Sequence, residues 1–227
     1  MFIGHFAVGF VAKRVAPKAS LGPLMAAPLL LDLLWPIFLL LGWERVHIQP
    51  GFMAFNPLVL EHYPWSHSLV MSVVWGALFG GLYWTRTHYR AGAVAIVLGV
   101  VSHWVLDWVT HGPDMPLWPG RSPLVGIGLW NSVAGTVAVE SVMFVSAVWL
   151  YASTTTPRDR VGRYAFWAFV ALLALSYAAG AASSNAAPNM PGLAYFALAA
   201  WLFPFWAGWF DRHRALSATS GQSSAVR

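Results

Sequence analysis

Ser102-His103-Trp104-Val105-Leu106-Asp107-Trp108-Val109-Thr110-His111 closes an apolar run long enough to cross a membrane, yet it carries three ionisable side chains four residues apart. On an α-helix, residues i and i+4 share a face, so His103 and Asp107 point the same way one turn apart, with His111 a turn further on. Hydrocarbon penalises such groups, and ionisable residues inside a membrane segment mark functional positions. An imidazole and a carboxylate on one face suit a metal site or a proton relay. The alternative is a buried hydrogen bond in which Asp107 merely orients the His103 ring.

The rest of the chain agrees with a membrane setting. Of its 227 residues, 58% are hydrophobic and only 9% charged, which excludes an ordinary soluble domain. The net charge of +5 comes from basic residues scattered between apolar runs, not from one stripe, so nucleic acid is excluded as a partner and the charges read as topology signals. There is no cysteine, so disulfides and thiolate ligands are both ruled out, and His, Asp and Glu are left as the strong metal ligands. Met1 to His5 has no basic region ahead of its apolar part, which argues against a cleaved signal peptide.

The pattern predicts an all-α polytopic transmembrane bundle of six full spans plus a short N-terminal helix, seven helices in all. The short helix covers Phe2 to Val15, and the spans run Leu21–Trp43, Ser66–Thr85, Ala91–His111, Val125–Tyr151, Tyr164–Ala182 and Leu193–Phe210. Residues 1–215 form one domain with a buried polar site, and 216–227 a disordered cytoplasmic tail. The first long span holds Asp32 between Pro28 and Pro36. Pro36 denies the Asp32 carbonyl its helical donor, which makes a polar, kinked point.

Alternating the spans places Lys13, Arg14, Lys18, Arg86, Arg90, Arg158, Arg160, Arg163, Arg212, Arg214 and Arg227 on one side and only Arg45 and Arg121 on the other. Basic loops stay cytoplasmic, so the C-terminus is expected inside. His103 and Asp107 then lie in the outer half of their span, with His111 at its rim. His67 starts its span at the same surface with His62 just above it, Asp32 is near mid-span, and His5 lies toward the outer end of the first helix.

These residues admit more than one reading. A rise of ~6 Å lets His103 and Asp107 share an ion, while the ~12 Å between His103 and His111 does not. The positive pole at the start of its span favours a neutral His67, though an interfacial histidine is also ordinary. Asp32 needs a metal, an imidazolium or a proton. Glu140 reads as a general base, a ligand or a protonated packing residue, with the last preferred. Whether His111 and Asp114 join the site is left open. The fourteen tryptophans read as interface anchors.

In this order the motifs resemble the bacterial membrane-bound metal-dependent hydrolases. Gly4-His5 with Gly9 is similar to the family's first motif and Leu31-Asp32-Leu33 to its second. His62-Tyr63-Pro64-Trp65-Ser66-His67-Ser68 keeps the two histidines of the third, and Ser102-His103 through Asp107 matches the fourth. The second acid after Asp32 is absent, and Tyr63-Pro64 replaces Arg-Gly. The resemblance spans the first half of the chain. It implies an enzyme of the bacterial inner membrane in which His5, Asp32, His67, His103 and Asp107 bind a divalent metal, with zinc first. His62 would complete or support the site, and His62 or an unligated carboxylate such as Asp107 would shuttle the proton. An outer-leaflet site implies a lipid or lipid-linked ester, amide or phosphoester as substrate. The alternatives are a b-type haem held between histidines of neighbouring spans, and a proton- or cation-coupled transporter using Asp32, His103 and Glu140.

Overall fold

A computed structural model describes residues 1–182 and 190–217 and is mainly helical. Its helices are α1 (Ile3–Val15), α2 (Leu21–Leu40), α3 (Pro64–His67), α4 (Leu69–Thr87), α5 (Arg90–Thr110), α6 (Val133–Thr154), α7 (Arg160–Ala182), α8 (Met190–Leu198) and α9 (Leu202–Arg212). Three antiparallel two-stranded ribbons join them: β1 (Arg45–Ile48) with β2 (Leu58–His62), β3 (Met115–Pro116) with β4 (Leu124–Val125), and β5 (Thr155–Pro157) with β6 (Arg214–Leu216).

Among the described residues five helical stretches are long and apolar enough to cross a membrane: Leu21–Leu40, Arg90–Thr110, Val133–Thr154, Arg160–Ala182 and Gly192–Arg212. The expected count of six spans is therefore not matched. The difference is the segment beginning at Ser66. It breaks at Ser68, which is extended and caps α4 through Met71 N–H, and Ser72, Gly76, Gly80, Gly81, Tyr83 and Arg86 dilute the apolar character of α4. The span expected from Val125 begins only at Val133, where Ser132 caps α6 through Gly135 N–H. Of the expected tail, Leu216 pairs with Thr155, and residues 218–227 lie outside the described residues.

The side-chain pattern is that of a bundle in lipid. Along α6, Thr136, Glu140, Phe144, Ala147 and Tyr151 are buried, whereas Val142, Val145 and Trp149 are each about two-thirds exposed. An apolar outer face needs hydrocarbon around it, and helices there associate by close packing. Gly99 allows one such approach: a Cβ on it would meet the Ala27 Cβ at 2.9 Å, so α5 lies directly on α2 one turn before His103. Phe10, Phe144, Tyr151, Phe166, Phe169 and Phe210 fill the space between α1, α6, α7 and α9.

Helix α1 is the structural problem of this bundle. Thirteen residues reach ~20 Å, well short of a ~30 Å hydrocarbon core, so its first N–H groups are orphaned inside the protein. Glu140 supplies the acceptor from α6: its Oε2 takes Phe2 N–H at 2.8 Å and Gly4 N–H at 3.1 Å. At the other end the Lys13 ammonium donates to Asp211 Oδ2 and to the Ala19 carbonyl, both at 2.8 Å.

Candidate metal centre

Five helices deliver the polar groups: α1 brings His5, α2 brings Asp32, the short α3 brings His67, α5 brings His103 and Asp107, and α6 brings Glu140 alongside them. His5, His67, His103 and Asp107 are all less than 5% exposed. Two triads result, His5–His103–Asp107 and Asp32–His67–His103, each with its ligand atoms within 4.8 Å of one another, and His103 belongs to both.

The two central imidazoles are fixed by what lies behind them. His103 Nδ1 faces the Pro28 carbonyl at 2.7 Å. A carbonyl only accepts, so Nδ1 carries the proton and Nε2 presents a lone pair. His67 Nδ1 lies 2.6 Å from Ser66 Oγ, which in turn lies 2.7 Å from Glu44 Oε2; Glu44 Oε1 also accepts Ser66 N–H at 2.7 Å. With Glu44 ionised, Ser66 O–H donates to it and accepts from His67 Nδ1–H, which again frees Nε2.

Both free nitrogens then point at each other, 3.2 Å apart. Around them stand Asp107 Oδ2, 3.0 Å from His103 Nε2 and 3.9 Å from His67 Nε2, and Asp32 Oδ1, at 3.7 and 3.4 Å. Two imidazole nitrogens and two carboxylates face one another here, arranged as two triads that share His103. Such a donor set fits a divalent cation: ligands ~2.0–2.1 Å from one zinc ion at the tetrahedral angle lie ~3.3 Å apart. It does not fit a haem, whose two axial nitrogens stand on opposite sides of the iron, farther apart than 3.2 Å.

His5 approaches from the side. Its ring stacks on that of His103 at 3.8 Å between centroids and 2° between planes, and its Nε2 lies 3.1 Å from Asp107 Oδ1. The Met1 amino group also bonds to Asp107 Oδ1. Asp107 thus turns one oxygen to the facing imidazoles and the other to α1. His5 Nδ1 is buried without a hydrogen-bond partner.

Other candidates lie elsewhere. His62 ends β2 opposite Arg45 and is only half-buried; the structure does not bring its ring to the cluster, because the turn at Tyr63-Pro64 separates strand from helix. His111 caps the end of α5 and stacks on Trp130 at 4.2 Å. Its Nδ1 meets Asp114 Oδ1 at 3.2 Å, outside both triads. Asp114 also accepts from Tyr63 O–H at 3.2 Å, and burial together with that carboxylate pushes the phenol well above its ordinary range. Glu140 serves the α1 backbone instead of the triads.

Glu44 and Ser66 were not singled out by sequence. Ser66 lies inside the His62-to-Ser68 motif, but nothing in the pattern links it to an acid 22 residues earlier. Burial pushes the Glu44 carboxyl above the usual range, opposed by His67 and Ser66. Glu44→Gln would let an amide N–H donate to Ser66, whose own hydroxyl could then turn toward His67 Nδ1 and place a proton on Nε2. The expected result is a fall in metal affinity of roughly 10–100-fold, the usual effect of losing an outer-shell partner. Competition titration of the purified protein with a chromophoric chelator measures it, and unchanged affinity would show that Glu44 does not set the tautomer.

No curated protein and no solved structure matches the chain. Residues 1–187 match the family model described as YdjM inner membrane protein, a description that gives a location and no reaction. Together with its apolar helices, this match shows that the chain belongs to the YdjM inner membrane protein family and is a multi-pass protein of the bacterial inner membrane.

Proposed function

We propose that the cluster is a divalent metal centre, zinc first, in an integral-membrane hydrolase acting on a lipid or lipid-linked ester, amide or phosphoester in the extracytoplasmic half of the bilayer. The observation that carries the reading is the approach of the Nε2 atoms of His67 and His103, 3.2 Å apart between two carboxylates. Asp32, His67, His103 and Asp107 would hold the ion, with His5 at the far side of Asp107. A bound divalent ion supplies a water of pKa near ~7 and polarises a carbonyl or phosphoryl oxygen.

The chain's own residues account for the rest. Pro28 and the Glu44–Ser66 pair hold the imidazoles in one tautomer. Asp32 is the accessible member, its side chain 44% exposed. It turns Oδ1 to the imidazoles, so its other oxygen is placed to take the proton as the water oxygen bonds to the acyl carbon or phosphorus. That proton then goes to the departing alcohol, amine or phosphate. The basic residues at the opposite end of the bundle support a cytoplasmic C-terminus and hence an outward-facing site.

The deciding measurement is elemental analysis of protein purified in mild detergent without chelator. Stoichiometric divalent metal is expected in the native chain, with loss in His103→Ala and Asp32→Asn. A native protein that neither carries nor takes up zinc, or a His103→Ala variant with undiminished metal, would falsify the reading.

A further inference from the structure

The end of the bundle opposite the metal centre holds a second polar construction. A cavity of about 180 Å³ lies where α1, α6 and α9 end, lined by Lys13, Thr155, Arg158, Asp211 and Arg214 among others. A neighbouring open cavity of about 280 Å³ shares Arg158 and adds Arg160 and Arg163. The smaller space is below the ~300 Å³ at which sites for drug-sized ligands begin, but it exceeds the ~30 Å³ share of a single water several-fold. It suits a group the size of a phosphate.

Its charges do not balance. Asp211 already accepts three hydrogen bonds: Oδ2 from Lys13 Nζ and from Leu21 N–H, and Oδ1 from Tyr151 O–H at 2.8 Å. Arg214 is only 8% exposed, and its three hydrogen bonds run to neutral acceptors, Thr155 Oγ1, the Thr155 carbonyl and the Gly162 carbonyl. The guanidinium stacks on Phe166 at 4.8 Å and Tyr151 at 5.3 Å. Among the described residues no carboxylate forms an ion pair with it, and two of its five N–H donors are left over. Burial pulls its pKa below the ordinary value. Three cationic side chains therefore share one carboxylate in this cavity, and Arg214 belongs to the β5–β6 ribbon.

From this geometry we propose that Lys13, Arg158 and Arg214 form a receptor for one phosphate-bearing anion, either the headgroup of an anionic phospholipid or a soluble phosphate. The cavity lies where the helices reach the end of the bundle, the level of lipid phosphates, and basic pockets between helices on the cytoplasmic side are suited to anionic headgroups. Scattered topology-setting arginines would attract such lipids too, but diffusely. What distinguishes this place is a buried Arg214 with no ion pair among the described residues, beside Lys13 and Arg158 in one cavity. The inference does not depend on the metal centre.

The test uses the full chain in nanodiscs of phosphatidylcholine doped with phosphatidylglycerol, with retained lipid read by native mass spectrometry, and a parallel titration with inorganic phosphate followed by tryptophan fluorescence. Arg158→Gln removes an exposed charge and should leave the fold intact. It is expected to weaken saturable binding about fivefold, the effect of one basic residue near anionic lipid, while the Arg86→Gln/Arg90→Gln pair, outside the cavity, changes nothing. Preferential retention of phosphatidylglycerol without a phosphate response assigns the site to a headgroup, and saturable phosphate binding assigns it to a soluble anion. Equal losses in both variants, or no saturable binding of either probe, overturns the proposal.

Discussion

With the proposed metal centre, Asp107→Ala is expected to abolish metal binding and to destabilise the protein, while Asp32→Ala should do the first with a smaller effect on stability. Both carboxylates face the same pair of Nε2 atoms, at 3.0 Å for Asp107 and 3.4 Å for Asp32 at their closest, so each loss should exceed the ~10–100-fold typical of an outer-shell partner. Their surroundings separate them. Asp107 is 3% exposed, and its Oδ1 is the one hydrogen-bonding contact of the His5 ring among the described residues, Nδ1 having none there. Truncating it orphans His5 and removes the counter-charge of the Met1 amino group. At about 1–3 kcal/mol per buried group left unsatisfied, the summed effect should be roughly 3 kcal/mol or more. Asp32 makes longer contacts, 3.4 Å to His67 Nε2 and 3.7 Å to His103 Nε2, and its removal should cost less than that of Asp107. Unfolding in mixed detergent micelles with chelator present isolates the stability difference, and elemental analysis gives the metal. Equal destabilisation by the two variants would mean that Asp107 does not organise the α1 face of the site.

The sequence carries the i, i+4 relation of His103 and Asp107 directly, because helical period alone puts them on one face. Charge alternation brought His67 and Asp32 to a similar depth, and the structure places both against His103. What periodicity cannot convey is what stands behind a ligand. Glu44 reaches Ser66 and His67 only because the β1–β2 ribbon folds the connection back over the end of α2, and hydrophobic pattern holds no information about such a return. His62 misled for the same reason: the motif that it shares with His67 suggests a common site, but Pro64 starts a new helix and leaves His62 on a strand. The span count failed at α4 because glycine and serine lower hydropathy while favouring close helix packing. Glu140 looked like a puzzle in hydrocarbon until α1 was seen to end beside it.

At the other end of α1, Asp211→Ala should produce the largest loss of stability in the chain. This carboxylate, 7% exposed, joins four helices at one point: Lys13 from α1, Leu21 N–H from the first turn of α2, Tyr151 from α6, and its own α9. Removing it leaves the Lys13 ammonium with only the Ala19 carbonyl, and breaking a buried pair from one side costs about 3–5 kcal/mol because the remaining charge is uncompensated. Asp211→Asn keeps an acceptor and should fall between. The double variant Lys13→Met/Asp211→Leu removes both charges and should recover part of the loss, the Leu21 N–H and Tyr151 O–H still lacking their acceptor. A coupling energy close to zero in this double-mutant cycle, read from unfolding midpoints in detergent, would show that the pair does not hold α1 in place. The eight residues from His5 to Lys13 span ~12 Å of helix, so folded Asp211 variants should keep their metal. A variant that lost both would show that α1 must be anchored at its basic end to present His5 at the other.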